Sequence, residues 1–297
     1  MTPLFPLSAP PQLLKDLRVE PEEAKSILRP QKDERYGFGF ALSPYRGCAH
    51  GCRYCYVREY PNALHAPGDW GGWVAPKLNA PELLWSQRHR LHQQRVFLAS
   101  ATDPYQPLER HYHLTRQCLE VLLLCPTTEV ILHTRSPVVL QDLDLLRAFG
   151  DRLSVGLSIP TDDDTVRQVV EPHAPAIPSR WAAVEKLASA GIEVGISVAP
   201  LLAVHDPRAF ARRAQSAGAS HAWVGGLRLL RQDPFYTVLA EHGWLKVLQP
   251  GYAEGIRQIF RQVFPVRRLV PERLQEPVVP QVTSPQQPGL FDPVACP

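Results

Sequence analysis

Short apolar runs alternate with longer helix-like patterns along most of this chain, and that alternation limits the fold more than any single residue does. Strand-like runs fall at 37–42, Trp73–Pro76, 96–100, 129–133, 153–159, 193–198 and 222–225. Helical patterns fall between them, at 81–94, 109–125, 137–149, 162–170, 179–190, 207–217, 235–242 and 252–264. Alternation of this kind predicts parallel strands joined by right-handed crossover helices. The 297 residues are close to the ~250 of one α/β barrel. Asn79 with Glu82 three residues on has the form of a capping box, and Gly191, Gly218 and Gly243 stand where helices end in a left-handed residue.

Composition sets the limits of this folded unit. Hydrophobic residues at 44% and charged residues at 21% supply an ordinary soluble core, while the 31 prolines crowd the two ends. The expected organisation is an N-terminal extension over 1–30 with a short helix near 22–28, a folded domain over 31–265, and a proline-rich tail over 266–297. A net charge of +3 does not by itself mark a nucleic-acid binder, and no apolar run approaches a membrane span or a leader. The reading is a cytoplasmic monomer without a membrane partner. Three of the six cysteines fall within eight residues, which points to a metal site in a reducing compartment rather than a disulfide framework.

Those three lie in SPYRGCAHGCRYCYVREYP as C-x3-C-x2-C, at Cys48, Cys52 and Cys55. Three thiolates can hold three irons of a [4Fe–4S] cubane, with Gly47 and Gly51 supplying the sharp turns and leaving the fourth iron open. A Cys3His zinc site that recruits His50 is the alternative, and it would make the chain a zinc-stabilised nucleic-acid or protein binding module without catalysis. Zinc ligands usually come as two separated pairs, which this spacing does not provide. In a parallel barrel, chemistry sits on the loops after the strands, so Thr102, Asp103, Thr134, Arg135, Ser158 and Pro200 join the candidates.

The loop resembles the radical S-adenosylmethionine superfamily, whose signature is C-x3-C-x-aromatic-C, with Tyr54 at the aromatic position. The order SPYRGCAHGCRYCY, KLNAPELL, TDPYQPLE, LTR, TRSPVVLQDLDLL, LSIPTDD, VEPHAP and GIEVGISVAPL, over residues 35–230, is similar to the DNA repair photolyase-like relatives of spore photoproduct lyase. The resemblance implies a partial, open (β/α)6 TIM-type barrel. It also implies reductive cleavage of S-adenosylmethionine by a cluster on the three cysteines. Tyr54 would lie beside the adenine, Asp103 would pair with the methionine ammonium and Arg135 with its carboxylate, and Thr102 and Ser158 would be further cofactor contacts. An electron donor such as flavodoxin or ferredoxin and a nucleic-acid substrate are the implied partners. The lyase returns hydrogen from a cysteine where this chain has Ser100, and the stronger O–H bond puts that half of the reaction in doubt.

Other features have plainer accounts. His111 and His113, at i and i+2, point different ways on a helix, and with Arg110 and Arg116 they could contact an anion. Tyr105 and Gln106 serve either substrate or turn, and Glu171 either contacts the cofactor ribose or orients Arg180, or simply ends a helix with a local ion pair. Asp162, Asp163 and Asp164 fit a helix N-terminus better than a metal cluster. Cys118 and Cys125 belong to an apolar helix face, and Cys296 to the tail beyond the basic Arg267, Arg268 and Arg273.

Overall fold

The computed structural model describes residues 17–31, 37–60, 63, 68–229 and 233–264. The expectations for 266–297, including Cys296, and for most of 1–30 lie outside them. Ten strands appear in these residues: β1 (Arg18–Val19), β2 (Leu28–Pro30), β3 (Phe40–Leu42), β4 (Tyr45–Gly47), β5 (Trp73–Pro76), β6 (Arg95–Leu98), β7 (Glu129–Thr134), β8 (Leu153–Ser158), β9 (Val194–Leu201) and β10 (Ala222–Gly226). The α-helices are α1 (Ala80–Gln87), α2 (Glu109–Tyr112), α3 (Leu114–Leu123), α4 (Leu143–Ala148), α5 (Asp164–Val170), α6 (Ile177–Ser189), α7 (Pro207–Ser216), α8 (Phe235–Glu241) and α9 (Tyr252–Val263).

The main sheet runs β10-β9-β8-β7-β6-β3-β2. Its first six strands pair in parallel, and β2 adds to β3 antiparallel. Six parallel strands in sequential order, with no pairing between β10 and β2, make the partial open (β/α)6 barrel that the alternation and the resemblance imply. One strand is reassigned. Trp73–Pro76 does not enter the barrel; it is the middle of a separate sheet, parallel to β1 and antiparallel to β4. All four of its residues are buried, so its apolar run looks the same whichever sheet it joins.

The register separates two faces of the barrel strands. Leu98, Leu132, Val155 and Val194 are aligned neighbours, each 0–1% exposed, and they pack with Leu119, Leu146, Val184 and Phe210 of the surrounding helices. Each such leucine contributes about 1.5–3 kcal/mol by leaving water. The alternate residues Phe97, Ile131, His133, Ser154 and Trp223 face the lumen and remain half-buried.

Local signals explain most helix ends. Asp206 accepts Arg208 N and Ala209 N at 2.9 Å ahead of Pro207, opening α7. Gly191, Gly218 and Gly243 take φ of 76°, 87° and 71° after α6, α7 and α8, as their positions require. The Asn79–Glu82 capping box does not form: Asn79 instead accepts Ala24 N at 2.8 Å and donates to Ala24 O at 2.9 Å. That distant backbone takes the cap because residues 17–31 do not form the expected helix at 22–28; they run extended and contribute β1 and β2. The 109–125 pattern is split in two by His113 at φ 50°.

Candidate functional site

The cysteine loop follows β4 and lies across the C-terminal ends of the barrel strands. Gly47 and Gly51 turn it at φ 76° and 59°. A Cβ at Gly47 would stand 2.6 Å from Trp73 O, and one at Gly51 would stand 3.2 Å from Gly71 Cα, so the loop rests on bare backbone. Gln106 fixes it from below, accepting Ala49 N at 3.0 Å and donating to Thr102 Oγ1 at 3.2 Å; Thr102 donates to Gly47 O at 2.6 Å. Gln106 and Tyr105, both 0% exposed, therefore serve the turn, Tyr105 through its hydroxyl on Asp142 at 2.9 Å.

Asp103, at the end of the loop after β6, is nearly enclosed. Its Oδ1 accepts Tyr105 N at 2.9 Å and Thr134 Oγ1 at 2.6 Å, and its Oδ2 accepts Arg135 N at 2.9 Å. Burial alone would push its carboxyl up, but His50, Arg135 and Thr134 hold it well below the usual carboxylate range. His50 Nε2 lies 3.4 Å from Asp103 Oδ2 without hydrogen-bond alignment and is a buried nitrogen with no hydrogen bond among the described residues.

Arg135 joins the loop to the barrel. Its Nη1 donates to Cys52 Sγ at 2.8 Å, to Tyr54 Oη at 2.9 Å and to Glu171 Oε1. Glu171, 0% exposed, also accepts from the Tyr54 hydroxyl and, through Oε2, from Arg180. Arg180 Nη1 in turn donates to Ser158 O at 2.9 Å at the end of β8. One buried carboxylate thus ties together the cysteine loop and the ends of β7 and β8. The two guanidiniums outweigh its burial and hold it ionised. Of the roles expected for Glu171, the pairing with Arg180 is present.

Of the eight residues singled out by sequence, Cys52, Tyr54, Asp103 and Arg135 meet in this network, and Thr102 supports the loop beneath it. Ser158 is 7% exposed and contributes its carbonyl. Cys48 and Cys55 flank Cys52. Burial pushes all three thiols up to about 12. Among the described residues no three His, Cys, Asp or Glu side chains are already gathered for a metal. The donor set is nonetheless soft sulfur on a glycine-hinged loop, which suits iron or zinc rather than a hard cation.

The remaining candidates fall away from this site. Asp163 caps α5 through Thr165 N at 2.8 Å, Asp164 accepts Ile177 N at 2.9 Å, and Asp162 accepts His205 N and Asp206 N at 2.8 Å. Arg116 is committed to Asp142, Asp144 and Glu120 rather than to an anionic ligand. Cys118 is a core residue at 0% exposure.

Comparison with known proteins agrees with this geometry. An uncharacterized protein of Methanocaldococcus jannaschii is 29% identical over 180 residues, covering 61% of this chain; the chain spans 66% of that relative's length, just under two thirds. An uncharacterized protein of Mycobacterium tuberculosis H37Rv is 28% identical over 262 residues, 83% of this chain and 74% of its own. Among solved structures, a spore photoproduct lyase mutant with bound AdoMet and dinucleoside spore photoproduct superposes with a TM-score of 0.57 at 18% identity, over 85% of this chain and 67% of that one. That likeness shows the fold. The family model for the radical SAM superfamily matches residues 42–212, more than half of the sequence. This chain belongs to the radical SAM superfamily, whose members work with a [4Fe–4S] cluster and S-adenosylmethionine.

Proposed function

We propose that Cys48, Cys52 and Cys55 hold the [4Fe–4S] cluster and that Tyr54, Thr102, Asp103, Arg135 and Ser158 line the place of S-adenosylmethionine. The observation that carries this reading is the shared network in which Arg135 touches Cys52, Tyr54 and Glu171 at once. It supports the reading because Arg135, the proposed cation for a methionine carboxylate, reaches both Cys52 and the Tyr54 hydroxyl. When bound, the cluster and S-adenosylmethionine would supply one-electron reductive cleavage of the C5′–S bond and, through it, hydrogen abstraction from substrate. Asp103, already ionised, is the partner for the methionine ammonium. Glu171 and Arg180 are positioning residues that keep Arg135 and Tyr54 in place before anything binds.

The electron comes from a donor such as flavodoxin or ferredoxin, in the cytoplasm, where thiols stay reduced. Nucleic acid is the substrate class favoured by the likeness to the lyase. Ser100 separates this chain from that reaction: its carbonyl accepts the Tyr56 hydroxyl at 2.6 Å, and its own hydroxyl is a poor hydrogen-atom donor. The product is therefore expected to differ from the lyase's.

Anaerobic reconstitution with iron and sulfide, followed by dithionite and S-adenosylmethionine, tests the reading. Formation of 5′-deoxyadenosine is expected, and Cys52→Ala abolishes both the cluster absorbance and the product. Stoichiometric zinc that resists exchange, with no 5′-deoxyadenosine, overturns the enzyme in favour of a zinc-stabilised binding module.

A further inference from the structure

Beneath the rim, the lumen carries a feature that the cofactors do not use. Four neighbouring strand positions share one register across the barrel: His133 pairs with Gly156, Gly156 with Gly195, and His221 lies beside Gly195 at the start of β10. Both histidines lean over the glycines. A Cβ at Gly156 would stand 2.6 Å from His133 Nε2, and one at Gly195 would overlap His221 Nε2. The two imidazoles therefore occupy the space that side chains at 156 and 195 would fill, with their Nε2 atoms over adjacent strands.

Their surroundings are aromatic and small. His133 packs edge-on against Phe97 at 5.0 Å between ring centroids, and Trp223 stands two residues beyond His221, paired with Ser197. His133, Phe97, His221 and Trp223 are all half-buried, on the strand face that turns away from the helices. The His133 imidazole makes no hydrogen bond with the described residues, whereas His221 Nδ1 is held by Ser220 Oγ at 2.9 Å with Glu193 at 3.8 Å behind it, which leaves Nε2 for a ligand. Burial lowers both imidazoles, and His133 falls to about 4, so each offers a neutral ring at physiological pH. The row contains no Lys or Arg to draw an anion. It sits two residues below Ser158 and Ser197, about 7 Å at ~3.3 Å per residue, within reach of a substrate that extends down from the rim.

We propose that His133 and His221 form a recognition floor for a flat, uncharged heterocycle carrying both a hydrogen-bond donor and an acceptor on one edge, as neutral nucleobases do. With Nδ1 of His221 held by Ser220, each imidazole turns one ring nitrogen to the ligand, and between them the pair supplies one donor and one acceptor to such an edge, with the Phe97 and Trp223 rings as walls. An anionic ring of the same shape is excluded, because nothing in the row compensates its charge. The inference rests on the radical reading and names the substrate chemistry of the same barrel.

The test uses the reconstituted holoenzyme with S-adenosylmethionine bound, and measures binding by calorimetry. The probes are uridine and adenosine, their oligonucleotides, and orotidine, whose pyrimidine carries a carboxylate. Neutral nucleosides bind at least tenfold more tightly than orotidine, and oligonucleotides bind more tightly still if the ring belongs to a strand. His133→Phe, which keeps the packing on Phe97, weakens uridine binding about tenfold, and Gly195→Ala, which displaces the His221 ring, does the same. Cluster absorbance and uncoupled 5′-deoxyadenosine formation stay at wild-type level in both. Equal affinity for orotidine, or unchanged binding in both variants, overturns the floor while leaving the radical reading intact. Loss of the cluster in the wild-type preparation strikes that reading instead.

Discussion

Glu171 and Glu109 are both 0% exposed, yet they occupy two differently built regions of the molecule. Glu171, at the rim, faces the guanidiniums of Arg135 and Arg180 and is held ionised. Glu109 sits under the small sheet, where it accepts from the Tyr45 hydroxyl, from Thr115 N at 3.0 Å and from Arg116 N at 3.1 Å. None of those donors carries charge, and burial pushes its carboxyl up to about 8. The comparison teaches that burial does not decide a carboxyl's state; the charge of its partners does. The rim holds an anion between two cations, and the buttress holds a carboxyl that keeps its proton to higher pH while tying a sheet to a helix.

Substitution to glutamine separates the two most strongly. Glu171→Gln strands two buried guanidiniums and costs about 3–5 kcal/mol in denaturant unfolding. In reconstituted protein it also weakens S-adenosylmethionine binding, because Arg135 loses its anchor. Glu109→Gln, at pH 6, replaces one neutral group with another and costs about 1 kcal/mol, since one donor then faces a donor. Equal losses would break the comparison.

The two faces of β7 give a smaller contrast in the same unfolding measurement. Leu132→Ala, on the helix-facing side, opens a cavity at about 2–4 kcal/mol, while Ile131→Ala, on the lumen side, costs about 1 kcal/mol. Comparable costs would mean that the lumen is packed shut.

The pH dependence sharpens the comparison through a slope rather than a single loss. Glu109 has a folded value of about 8 against 4.5 for a free side chain, so the native state holds a proton that the unfolded state has lost. Its contribution is complete below 4.5 and falls as pH rises toward 8, by at most about 1.4 kcal/mol per pH unit. Glu171 has the opposite sign: its folded value is lowered, so its contribution is present above 4.5 and is lost as pH falls below it. Urea unfolding of wild type and Glu109→Gln between pH 5 and 8 reads the first slope. A difference that does not change with pH would show that Glu109 is ionised like Glu171.

Much of this was legible in the sequence because it depends on local pattern. The alternation placed β6 to β10 and their helices to within a few residues, and the glycines at 191, 218 and 243 marked helix ends through backbone conformation alone. Sequence failed where a distant partner decides. Asn79 is a good cap by type, but Ala24, fifty-five residues earlier, claims it. Trp73–Pro76 is a good strand by type, but pairing with β1 and β4 takes it out of the barrel. In the site, spacing and position at strand ends named Cys52, Asp103 and Arg135, and the family resemblance added Tyr54; the four do converge. The histidine floor was missed because its signal is register: neither His133 nor Gly156 is unusual until the strands align them.

The segment from 17 to 31 has a practical consequence for anyone cutting this protein down. Its first strand borders the small sheet that braces the cysteine loop, and its second covers the free edge of β3. A recombinant fragment begun at residue 32 to trim the N-terminal extension would leave that edge bare, offering its unpaired amides and carbonyls to the next molecule. Poor solubility of such a fragment would then reflect where it was cut rather than an unstable barrel.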